Sequence, residues 1–105
     1  MSINPYRGDV EIIINDQPQK MRLTLGALAG LESRLGDDGL LPLIERFEAG
    51  DFQTNDLIEL LYAGLQGGGW DGSRADLECA KIQGGIVKAA KLTGEMLALA
   101  FSLPE

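Results

Sequence analysis

The sequence predicts an α+β fold: an N-terminal two-stranded antiparallel β-hairpin packed on a bundle of four to five helices, the last one long. Three observations predict it. Apolar residues alternate between positions 9 and 24, the period of a half-buried strand. From position 25 onward they recur every three to four residues, the period of an amphipathic helix. Glycines stand wherever that helical pattern lapses, as helix stops do. The 105 residues suit one domain, with the hairpin over 8–24 and the helical part over 25–103.

Residues 9–15 are rich in β-branched side chains. Val10, Ile12 and Ile14 share one face of a strand, and Glu11 and Ile13 the other. Asn15-Asp16-Gln17-Pro18 is a turn signal. Residues 20–24 alternate again, with Met21 and Leu23 on one face, which gives a hairpin with a loop of four or five residues. A lone hairpin is marginal in water and needs helices on its apolar face.

Leu25, Leu28, Leu31 and Leu35 define the first helix, closed by Gly36. Asp37-Asp38-Gly39 is a loop. Leu40, Leu43, Ile44 and Phe47 give the second helix, with Pro42 in its first turn and Gly50 at its end. Thr54 or Asn55 caps the third, Asp56 suits its positive end, and Leu57, Ile58, Leu61 and Leu65 line its buried side. Gly67-Gly68-Gly69 stops it and reads as a flexible loop. Ser73-Arg74-Ala75-Asp76 is a capping box.

The terminal region carries the stripe Lys81, Gly84, Lys88, Lys91, Glu95, Ala98 and Ser102, spaced three and four in alternation. The stripe keeps its phase across Gly84-Gly85, so one helix over about 74–102 is favoured, kinked or broken at the glycines. Ile86, Ala90, Thr93, Leu97 and Phe101 form its core face. A second apolar row, Leu92, Met96, Leu99 and Leu103, runs beside the lysines. That row is either more core in a helix wrapped by its neighbours or a seam for a partner. Trp70, after the three glycines, either anchors a partner or folds back on its own core.

Charge and composition exclude several functions. The formal charge is −7, with no histidine and one cysteine. Residues 32–78 hold eleven acids against three bases, whereas 1–31 balance and 79–105 carry one net positive charge. Such a chain lacks the basic footprint that nucleic acid requires. No apolar run approaches the ~18 residues of a membrane span. Histidine-based triads and zinc clusters have no residues to build them, so no metal and no cofactor is expected. The N-terminus lacks the apolar core of a signal peptide, and the chain is expected in the cytoplasm.

Three motifs lose to plainer readings. Gly67-Gly68-Gly69 has the wrong polarity for a phosphate loop, because it closes a helix instead of opening one. Asp37, Asp38, Glu45, Glu48, Asp51 and Asp56 read as a solvated acidic surface, not as catalytic or calcium-binding carboxylates. Cys79, flanked by Glu78 and Ala80 within the last helix, reads as inert and partly buried. No nucleophile–base pairing is present, so no catalytic residue is assigned.

Several segments in order resemble a known family. Leu23-Thr24-Leu25-Gly26-Ala27-Leu28-Ala29-Gly30-Leu31-Glu32-Ser33-Arg34-Leu35-Gly36 is similar to the signature segment of a small tail protein of gene transfer agents and related tailed phages. The likeness extends to Asn4–Gly8, Glu45–Gly50, Gly64–Gly69 and Gln83-Gly84-Gly85, and covers about residues 4–101. The family carries two labels, tail tube protein and tail assembly chaperone. It implies no catalytic residues. The chaperone label implies a partner, the helical tape-measure protein, held soluble until the tube forms around it. The tube label implies a component retained in the particle. Tube subunits are usually built round a β-sandwich or barrel, and this chain offers strands only near its N-terminus. The expectation is therefore a tail assembly chaperone acting in a bacterial cell that carries a prophage-like element. A structural tail component, or a small homo-oligomeric interaction module, is the alternative. Leu92, Met96, Leu99, Leu103 and Trp70 are its candidate partner-binding residues.

Overall fold

The N-terminal hairpin forms as its alternation demands, but with a tighter turn than expected and a second strand that lies at Gln17–Met21 instead of 20–24. The computed structural model describes residues 9–36 and 39–101. Strand β1 is Val10–Ile14 and β2 is Gln17–Met21, paired antiparallel with Val10 opposite Met21 and Ile14 opposite Gln17. Asn15 and Asp16 alone make the turn, both in the left-handed region at φ 52° and 66°. That is a two-residue turn whose twist matches the strands. Pro18 lies inside β2 opposite Ile13, not in the loop. Pairs alternate along an antiparallel ladder. Its missing N–H therefore faces away from β1, where no ladder bond is lost.

Five helices follow among the described residues: α1 Leu25–Leu35, α2 Leu40–Ala49, α3 Thr54–Gly67, α4 Arg74–Glu78 and α5 Gly85–Phe101. The Thr24 hydroxyl accepts from the Ala27 N–H at 3.0 Å and starts α1. The N-cap of α3 is Gln53, not Thr54 or Asn55, and the Asp56 carboxylate accepts from its backbone N–H at 3.0 Å. Ser73 and Asp76 exchange two bonds at the start of α4, as a capping box requires.

The expected helix over 74–102 is two helices. Residues 79–84 leave the helical path, and Ile82 bridges to Ile14. Asn15 N–H donates to the Lys81 carbonyl at 2.8 Å, and Gln83 N–H to the Ile13 carbonyl at 3.1 Å. The Asn15 side chain accepts from Lys81 N–H at 2.9 Å. Gly84 and Gly85 then turn the chain at φ 86° and 70°, a pair of conformations that side chains resist. Packing explains the break. At about 100° per residue, a straight helix would set Leu77 roughly 120° away from Ala89. Both are buried in the same core.

That core lies between the hairpin, α3 and α5. Val10, Ile12, Ile14 and Met21 meet Leu57, Leu61 and Leu65 of α3 and Ala89, Leu92 and Met96 of α5. A second cluster joins α1, α2 and α3 through Ala27, Leu31, Leu43, Leu60 and Ala63, with Leu97 of α5 added. The first residue of α1 stays outside it. Leu25, expected on the buried side, is 87% exposed.

The three-glycine segment is a packing device more than a flexible loop. A Cβ on Gly67 would collide with the Arg22 carbonyl oxygen, and one on Gly68 with that of Lys20. Arg22 N–H also donates to the Gly64 carbonyl at 2.8 Å. The end of α3 thus lies directly on the outer edge of the hairpin strand. Together with Pro18 it closes that edge, while Lys81–Gln83 closes the edge of β1.

Candidate partner-binding surface

The row proposed as a seam is mostly core. Leu92 is 7% exposed and Met96 is 0%, and Met96 lies against Gly64, where a Cβ would strike its sulfur. Leu99 is half-buried against the same cluster. Leu103 lies outside the described residues. Trp70 is half-buried on the hairpin core, its ring lies over Gly72, and its backbone N–H donates to the Leu65 carbonyl at 2.9 Å. The four described residues therefore form no common exposed surface, with Leu92 and Met96 buried. The expected core face of α5 shifts accordingly. Thr93 and Leu97 are buried, but Ile86 and Phe101 are not. For Ile86 the reason is the break: α5 starts at Gly85, so no preceding helical turn covers its first turn.

The exposed apolar surface is elsewhere. Among the described residues the large exposed hydrophobics are Leu25, Leu41, Ile86, Val87 and Phe101. Ile86 borders an open groove of about 240 Å³ between α3, α4 and the start of α5, lined by Leu57, Ile58, Leu61, Leu77, Ile82 and Ala89. Lys81, Lys88 and Lys91 are exposed near it in sequence. The signal for this patch was present in Gly84-Gly85. Two left-handed glycines open a new helix there, and its first turn has nothing before it to cover it.

The acidic residues are less uniformly solvated than the sequence suggested. Arg46 holds Asp56 through two bonds at 2.9 and 3.1 Å, which, with the Gln53 N–H, keep the Asp56 carboxyl below the ordinary aspartate range. Glu59 accepts from Arg34 at 2.7 Å and from Arg74 at 3.1 Å. Arg74 also pairs with Glu78 and donates to Asn55. Arg34 lies 4.9 Å from the centre of the Tyr62 ring. This network ties α1, α3 and α4 together and is structural. Arg22, paired with Asp9 at 2.5 Å, does the same for the hairpin base. Glu45, Glu48 and Asp51 remain exposed, as expected. Asp37 and Asp38 fall outside the described residues.

The described residues form no catalytic constellation. Among the described residues no group of three or more potential metal ligands gathers, and no helix is long and apolar enough to cross a membrane. Cys79 ends α4 and is exposed, not buried within a helix as the continuous pattern implied.

A family model described as phage tail tube protein, GTA-gp10, matches residues 7–103. Among curated proteins and among solved structures, no match to the chain is found. The matched span takes in the hairpin, all five helices and the bridge between α4 and α5. The chain therefore belongs to this family of phage and gene-transfer-agent tail proteins, and it is a non-enzymatic, tail-associated protein.

Proposed function

We propose that the protein is a structural component of the tail, retained in the finished particle and working through protein–protein contacts. The observation that carries this reading is the family match over 7–103, whose description is that of a tail tube protein. The fold is compatible with such work. Its polar groups are spent on caps and ion pairs, and what it offers outward is an apolar groove and segregated charge. Gold-labelled antibody against the chain, applied to purified particles, tests the reading by electron microscopy. Label along the tail shaft supports it; particles without label, while the soluble fraction keeps the antigen, contradict it.

A second reading rests on one specific feature. Tube subunits are usually joined through sheets, and here both edges of the small sheet are covered, by the end of α3 and by Lys81–Gln83. That favours an assembly chaperone, with the helical tape-measure protein as its client. The groove beside Ile86 would take an apolar helix face. Co-expression with the tape-measure protein separates the two readings. The chaperone reading requires that the client becomes soluble only in the presence of this chain.

A further inference from the structure

We propose that the protein binds a second copy of itself by setting the outer stripe of α2 against the exposed first turns of α5. Two surfaces of the molecule complement each other. On α2, Leu41, Glu45 and Glu48 stand at i, i+4 and i+7, which puts them on one face. Leu41 is 64% exposed, and both glutamates are exposed. On α5, Val87 is 78% and Ile86 56% exposed. Around the helix at about 100° per residue, Lys91 and then Lys88 follow Val87 on the side away from the groove. Each surface is thus one apolar contact beside a pair of like charges, negative on α2 and positive on α5.

Neither set of charges is neutralised among the described residues. None of Glu45, Glu48, Lys88 and Lys91 takes part in an ion pair among the described residues. The acids of the adjacent segment that are used internally are different ones, Asp56 and Glu59. The lysines also stand out against a chain of charge −7, so the positive patch has its complement on the protein's own acidic middle. Charge complementarity of this kind fixes register and rejects wrong pairings. The two patches differ, so each contact pairs unlike surfaces. Two such contacts about a two-fold axis close a dimer, and other rotations give rings or open chains. The inference concerns the chain alone and does not depend on whether it is retained in the particle.

Sedimentation velocity of the full chain across a concentration series tests it. The wild type is expected to shift from monomer to a larger species as concentration rises. The doubly reversed variants Glu45→Lys with Glu48→Lys, and Lys88→Glu with Lys91→Glu, are each expected to weaken association about a hundredfold or more, through like charges in contact. Their equimolar mixture restores the larger species, because each variant then meets its opposite. Unchanged circular dichroism shows that the reversals leave the fold intact. A wild type that stays monomeric to about 1 mM, association indifferent to both reversals, or a mixture that fails to recover it would each overturn the proposal.

Discussion

Gly67 and Gly68 show how much one hydrogen atom in place of a methyl group decides here. They let the end of α3 rest on the carbonyls of Arg22 and Lys20. Gly67→Ala is expected to destabilise the protein by about 1–3 kcal/mol, the range for forced overpacking. Gly30, inside α1, meets only the flexible tip of Arg34. Gly30→Ala should stabilise by about 0.5–1 kcal/mol, through helix propensity. Urea unfolding of both variants checks the contrast in sign. The sequence did not show this contrast, because Gly67 reads there as part of a helix stop with no close neighbour. Only the strand backbone lying across one of the two glycines does so. Asp56 gives a second case. Its carboxyl is held below its usual range chiefly by Arg46. A lowered folded-state value means stability that is present above the unfolded value and lost as pH falls through the folded one. Asp56→Asn should therefore cost about 0.5–2 kcal/mol at pH 7, the range for a lost cap. Relative to wild type, that deficit should shrink in unfolding experiments as the pH is taken below the ordinary aspartate range.

At the scale of elements, the strands, the first three helices and the capping box of α4 were legible from period and turn chemistry alone. The break between α4 and α5 was not. The lysine stripe keeps one phase from 81 to 102, and local periodicity therefore favoured a single helix. What overrides it is tertiary: β1 has an open edge, and Lys81–Gln83 fill it. Pro18 misled in the same way, because it reads as a turn residue until its partner across the ladder is known. The side chain of Asn15 is central to the junction. It tolerates the left-handed turn and also receives the Lys81 N–H. Asn15→Gly keeps the turn conformation and removes that bond. Hydrogen exchange should then show faster exchange at Lys81 and Gln83, with the amides of α3 protected as before. Equal acceleration throughout the molecule would mean that the bridge is integral to the core.

For the whole molecule, the uneven charge seen in the sequence acquires a structural meaning. Two groups stand out among the described acids of the middle segment. Asp56, Glu59 and Asp76 cap helices or bind arginines, whereas Glu45, Glu48 and Asp51 face outward. The candidate partner residues were the least legible part. Leu92 and Met96 belong to the core because α5 is pressed between the hairpin and α3, and no count of apolar rows reveals how many faces a helix buries. The exposed patch instead lies at Ile86 and Val87, where the break leaves a helix start uncovered. That fold and that surface, together with the family match, describe a protein that works by contact and not by catalysis. Isotope-dilution mass spectrometry on gradient-purified particles, counting this chain against the other particle proteins, tests the claim most directly. Retention in the tail predicts a fixed, reproducible stoichiometry that survives repeated banding. A chain that falls to trace levels on purification, while the tails stay intact, would contradict it.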